Sequence, residues 1–339
     1  MIRQAVFTLM LGVALSWLTV GAAVRAQNAT PSSPRPPAEI PFARLTADAI
    51  VPVTLGAGSV DSADALWVPN RMAGTIVRVD AKDNKAGQPI AVGAQPCASL
   101  VVAFDSVWVP LCGDGTVARV DAKTPKVTAT VKTKVAGSDG RIATGVGSVW
   151  AITDRKGVLS RIDPDTNAPV AEIYLSSGAT AVVFGDDALW ITSDEGSPAT
   201  GMLTRVNPHN NEIVETIEVG PRPGRLAVGE GGVWTLNRGT GSSGGTVTRV
   251  DPATNKVVAT ITIGDGLADG EIAAGLGSVW ISAPGVPIIR IDPRTNRAVQ
   301  RFTGAGGGAV LVAHGSLWVA AGPQLTWRLD PALVSTIRP

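Results

Sequence analysis

Three charged residues stand where a repeat otherwise keeps small ones. Counting nine residues back from each of seven regularly spaced tryptophans gives Gly58, Ser99, Arg141, Ala181, Arg225, Glu271 and Ala309. Two guanidiniums and one carboxylate brought to a single place make a polar funnel. A pair of planar five-donor forks suits a carboxylate, a phosphate or a sugar acid. Two other readings of the same trio stand beside this one. Glu271 pairs with an arginine and plugs the opening, or Glu271 is the base of a lyase- or hydrolase-type reaction while Arg141 or Arg225 holds an anionic group.

Further polar residues cluster around the same sequence positions. Asp139, Arg222 and Asp269 fall in the joints that lead into these positions. Arg71, Asp114, Asp154, Arg155, Asp194, Asn237 and Arg238 fall in the loops that follow the tryptophan strands. Arg71, Asp154 and Asn237 join the trio as candidate ligand contacts. Asp114, Asp154 and Asp194 lack the ligand spacing of a known calcium loop. No nucleophile–base pair, phosphate loop or H-E-x-x-H zinc pattern is present. No cofactor is therefore expected, with a divalent cation such as Mg²⁺ or Ca²⁺ left open.

The chain has two cysteines. A hairpin turning at Phe104-Asp105 sets Ala103 opposite Ser106 and, in the same register, Cys97 opposite Cys112. Directly opposed residues of an antiparallel pair are close enough to bridge. The alternatives are a reactive thiol pair and a soft-metal site. The two histidines, His209 and His314, both fall in surface turns.

These residues need a scaffold, and the tryptophans define it. ALWVP, SVWVP, SVWAI, ALWIT, GVWTL, SVWIS and SLWVA centre on Trp67, Trp108, Trp150, Trp190, Trp234, Trp280 and Trp318. Their spacing of about 40 residues is one supersecondary unit repeated. In residues 224–264 a short apolar strand, a glycine turn, the tryptophan strand, a third strand ending Thr248-Arg249-Val250, the turn Asp251-Pro252-Ala253-Thr254-Asn255 and a fourth strand follow in order. Aspartate opens such a turn, proline presets φ and asparagine tolerates the left-handed region. Four antiparallel strands per unit and seven units predict an all-β seven-bladed propeller. Residues 49–55 resemble a fourth strand without a blade, and the last unit ends near Pro331 without one. The N-terminal strand is thus expected to close the ring.

An arginine sits two residues before the turn acid in every unit: Arg78, Arg119, Arg161, Arg205, Arg249, Arg290 and Arg328. A property of every blade belongs to the blade. Each arginine is expected to lie along the neighbouring blade, with its head over an indole or on a turn carbonyl.

The unit G-S-V-W-V followed by G-T-V-x-R-V-D-P-x-T-N-K-V-V-A-T-I-x-V-G resembles the YVTN-type β-propeller repeat across about residues 49–331. It is also similar to the repeats of the streptogramin (virginiamycin B) lyase superfamily. YVTN-type propellers are mostly binding or scaffold modules, so the first resemblance implies binding. The second implies a Mg²⁺-holding histidine after a proline and a glutamate three residues after a tryptophan. Here the latter positions hold Asn70, Leu111, Thr153, Ser193, Asn237, Ala283 and Ala321, and the proline-following positions hold Cys97 and Gly224. The catalytic set of the lyase is absent.

Residues 1–26 read as a secretory signal, with Arg3 ahead of an apolar run and Val24-Arg25-Ala26 at the cleavage position. An uncleaved N-terminal anchor is the alternative. Residues 27–45 read as a proline-rich linker and 46–339 as the propeller. Without Arg3 and Arg25 the chain carries 27 basic and 28 acidic residues. So neutral a body argues against a nucleic-acid surface. The expectation is a periplasmic or secreted monomer that binds a small molecule or an envelope protein.

Overall fold

In the computed structural model the described residues are 37–135, 141–154, 156–194, 200–240, 244–264, 267 and 270–339. They form seven antiparallel sheets around a central channel. Blades two to six are residues 101–132, 142–174, 179–219, 223–264 and 271–303, four strands each in sequence order. Blade one comprises strands Val60–Asp61, Ala65–Asn70 and Thr75–Asp80, with an outer strand split into Lys85–Ala86 and Ile90–Ala91. Blade seven has only Val310–Ala313, Ser316–Gly322 and Leu325–Leu329 from the C-terminal end. Its outer strand is Ala49–Val51, antiparallel to the third strand with Ala49 opposite Arg328. The ring is closed from the N-terminal side, which leaves no half-built blade with an open edge.

The tryptophan strand is second in each blade because it is the strand buried on both faces. The seven indoles are 0–1% exposed and fill the spaces between adjacent sheets. Each buries on the order of 200 Å², a gross gain of roughly 5 kcal/mol before entropy. Burial of the ring N–H requires an acceptor. In six blades Nε1 donates to the carbonyl five residues earlier, at the end of the innermost strand, as in Trp234 to Gly229 at 2.9 Å and Trp280 to Gly275 at 3.0 Å. Blade one differs, with Trp67 donating to the Ser62 hydroxyl.

The repeated arginines hold the blades to one another. Guanidiniums of Arg119, Arg161, Arg205, Arg249 and Arg328 lie 4.9–5.2 Å from the indole centre of their own blade. Each then reaches the turn of the next blade. Arg249 Nη1 donates to the Pro293 carbonyl at 2.6 Å and to Asn296 Oδ1 at 2.8 Å. Arg328 makes the same pair of bonds to Ala81 and Asn84 across the ring closure. A register shift follows the arginine in blades two to six. Such a bulge re-aims the strand's side chains.

Two junctions depart from the expectation of seven equivalent arginines. The blade-two turn ends in Pro125 where blades one and three to six place asparagine, so it offers no amide acceptor at that position. Arg78 turns instead to Asp64 at 2.7 Å and Asp80 at 3.8 Å within its own blade. In blade seven Asp330 caps the helix Pro331–Thr336, accepting from Ala332 N, and no asparagine turn forms. Arg290 is left to Gln300 and Ser278 of its own blade.

The second of these junctions is filled by other means. Gln300 Nε2 donates to the carbonyls of Val334 and Ile337. Strand Glu39–Pro41 adds to blade six in parallel with Arg297–Thr303. Phe42 stacks on Trp327 with centroids 4.8 Å apart. Residues 39–45, read from the sequence as the end of a linker, thus belong to the propeller: Ile40, Phe42 and Leu45 are all buried. Three apolar side chains at alternating or near-alternating positions outweigh the proline signal around them.

Candidate functional site at the channel mouth

The innermost strands start at the channel mouth, and this brings Arg141, Arg225 and Glu271 together across three blades. Arg225 Nε lies 2.6 Å from Glu271 Oε1, and Arg141 Nη2 lies 3.7 Å from the same oxygen. The three side chains are only 7–12% exposed. Arg141 Nη1 donates to the Ala98 carbonyl at 2.6 Å. The next residue, Ile142, donates its N–H to Ser99 Oγ at 3.3 Å. The buried Arg141 Nε and Arg225 Nη1 have no hydrogen-bond partner. Among the described residues two cations thus share one anion in a nearly dry place, with donors left over. Buried guanidinium N–H groups without acceptors are costly, and here Arg141 Nε and Arg225 Nη1 carry that cost.

The cavity beneath has a volume of about 310 Å³ and is lined by residues of all seven innermost strands. Small residues at Gly58, Ser99 and Ala181 keep it open. A Cβ on Gly58 would sit 2.2 Å from the Ala98 carbonyl oxygen, the group that holds Arg141. A larger cleft, about 920 Å³, lies on the outer rim between blades one and two, lined by residues including Arg78, Asp80, Lys85, Lys126 and Val127. It coincides with the unlatched junction. Lys85 and Lys126 there are exposed and Arg78 and Asp80 half-buried, whereas the charged side chains of the central cavity are only 7–12% exposed.

The other residues singled out from the sequence lie elsewhere. Asn237 is fully buried within blade five, where its amide accepts from Thr235 and donates to Thr246 and Thr248. Its hydrogen-bonding capacity serves the blade, not the cavity. Asp154 is exposed and accepts from Lys156 N in the turn after its strand. Arg71 is exposed in the turn that follows Ala65–Asn70. Asp114 accepts from Ala94 N at 2.8 Å and fastens the joint between blades one and two. Arg238 lies over Gly224, where a Cβ would meet its Nε at 2.7 Å. Asp139, Arg155 and Asp269 lie outside the described residues. His209 contacts Asp187 at 3.0 Å in the surface turns of blade four. Among the described residues no group of three or more metal-ligating side chains comes together.

Cys97 and Cys112 are joined as a disulfide, with Cα atoms 5.2 Å apart. The register is not the one expected. Ala103 does face Ser106, but near the cysteines the pairing has slipped by two residues, so that Pro96 faces Leu111. The innermost strand is interrupted after Pro96, and Leu100 N bonds to Gly58 O of blade one instead. The bond thus fastens an irregular segment, and Ala98, which holds Arg141, is the residue after Cys97.

No family model matches the chain, and no curated protein matches it in sequence. Similarity to solved structures is extensive. Hydrazine synthase from Kuenenia stuttgartiensis aligns with a TM-score of 0.70 at 15% identity, over 87% of this chain and 99% of that one. Virginiamycin B lyase from Staphylococcus aureus aligns with a TM-score of 0.66 at 17% identity, over 81% and 94%. BamB from Moraxella catarrhalis aligns with a TM-score of 0.59 at 15% identity, over 82% and 85%. At these identities the likeness is one of fold, and the streptogramin lyase-like seven-bladed scaffold is the fold shared. A scaffold does not specify a chemistry.

Proposed function

We propose that this chain is an exported, non-enzymatic binding propeller that takes a small anionic ligand at its channel mouth through Arg141 and Arg225. The observation that carries the reading is the charge imbalance: two buried guanidiniums meet one carboxylate and keep donors in reserve. Binding is favoured over turnover because Glu271, the candidate base, is held 2.6 Å from an arginine. With Arg141 Nη2 also 3.7 Å from the same oxygen, the carboxylate serves to balance two guanidiniums. Export is supported by the signal-like residues 1–26 and by the disulfide, which persists in oxidising compartments. No helix among the described residues is long and apolar enough to cross a membrane.

The test is thermal melting of the protein with and without a panel of small carboxylates and phosphates. A stabilising anion is expected, and the shift should vanish in the double variant Arg141→Ala/Arg225→Ala. Equal shifts in both proteins would overturn the reading.

A further inference from the structure

We infer that the ligand is an amphiphile, a monocarboxylate whose apolar chain enters the channel below the arginines. The inference rests on the channel mouth being an anion site and adds what the rest of the cavity selects. Two residues below the charged ring the innermost strands present Val60, Val101, Ala143, Val183, Ala273 and Leu311, all apolar and all lining the same cavity as the arginines. A site for a small hydrophilic anion would need polar partners at this depth. Here an ion that filled the cavity would lose its water against hydrocarbon, at a cost of several kcal/mol.

The cavity is therefore polarised. Its mouth holds a net charge of +1 from Arg141, Arg225 and Glu271, and the level two residues below is apolar. One negative charge completes the mouth, while a second would face Glu271 without a cation of its own. The volume, about 310 Å³, is at the small end of ligand pockets and fits a short chain or a single ring.

The experiment is calorimetric titration of the unaltered protein with acetate, butanoate, hexanoate and octanoate, and with 1-octanol. Each methylene buried should tighten binding about fourfold. Octanoate is expected to bind at least tenfold more tightly than acetate, and 1-octanol at least tenfold more weakly than octanoate. Equal affinity for acetate and octanoate would overturn the amphiphile inference while leaving the anion site standing. Octanol binding as well as octanoate would remove the role of the charge. No binding of any carboxylate would sink both readings. Ala143→Phe, which fills the channel below the mouth, should abolish the gain in affinity with chain length. The chain-length series on the unaltered protein decides the matter should that variant fold poorly.

Discussion

Arginine does two different jobs in this ring, and the contrast separates scaffold from site. On the turn-bearing face, five arginines are spent on an indole, a carbonyl and an asparagine side chain. At the channel mouth, Arg141 and Arg225 share one carboxylate, and part of each guanidinium is without an acceptor. The first set recurs with the repeat and the second appears once. In a molecule made of copies, a charge without a counterpart in the other blades sets the channel mouth apart from the repeated scaffold.

The largest break to that contrast is Glu271→Ala. It leaves two buried guanidiniums facing each other and should cost about 3–5 kcal/mol in urea unfolding. Added carboxylate ligand should recover part of the loss. A cost below about 1 kcal/mol would show the cluster to be far more hydrated than its exposure implies. Next is the paired change Cys97→Ser/Cys112→Ser. The bridge closes a loop of 15 residues, and its removal should cost about 3 kcal/mol in the chain-entropy view. It should also weaken anion binding, because the Ala98 carbonyl beside it positions Arg141. Third, Arg249→Ala removes an inter-blade latch, with an expected cost of about 2 kcal/mol by thermal or chemical melting and unchanged anion binding. Fourth, Arg78→Ala at the unlatched junction loses only an exposed ion pair and should cost under about 1 kcal/mol. Equal costs for Arg249→Ala and Arg78→Ala would sink the distinction between latched and unlatched junctions.

The smallest effect concerns pH. Bonds donated by the turn's own backbone hold the carboxyls of Asp80, Asp121 and Asp251 below the usual aspartate range, chiefly from Asp83 N, Thr124 N and Ala253 N respectively. A carboxylate with a depressed folded-state pKa stabilises above its unfolded pKa and loses that contribution as pH falls through the folded value. Melting temperature should thus be flat on this account from neutrality to about pH 4 and decline below it. The decline should soften in Asp251→Asn, which keeps an acceptor that does not ionise in this range. A decline that begins near neutrality would point to other groups.

The sequence made the repeat legible because the signals that define a blade are local. Trp234, Arg249 and the turn Asp251–Asn255 each declare a strand or turn from their neighbours alone. The ruler they supply also found Arg141, Arg225 and Glu271, since equal positions in equal strands meet at one level of the channel. What stayed hidden depends on contacts between units. Asn237 has the residue type and position of a ligand contact, but Thr246 and Thr248 of the neighbouring strand use its amide. Pro125 in place of asparagine was visible, yet its effect on Arg78 appears only when two blades are side by side. Strand Glu39–Pro41 has no repeat partner to announce it, and it pairs with a strand more than 250 residues away. The slip near Cys97 was concealed for a similar reason, because Leu100 bonds to a neighbouring blade.

Closure of the ring has a consequence for how the chain reaches this state. Strand Ala49–Val51 precedes the strands of blade one in the chain, and its partner Leu325–Leu329 follows those of the other six blades. The four sequential strands of each of blades one to six can pair in the order they appear, within some 40 residues. Blade seven cannot, so the nascent ring stays open while one finished strand waits without a partner. Joining ends so far apart adds an entropic step after the local ones, and contacts of long sequence separation slow folding. The interval before closure is when an unpaired strand is most open to the wrong neighbour. Slow final annealing, abolished by deleting residues 46–56 and faster when the two strands are joined by a short linker in a permuted chain, would be the kinetic signature of a propeller that is fastened last where it began.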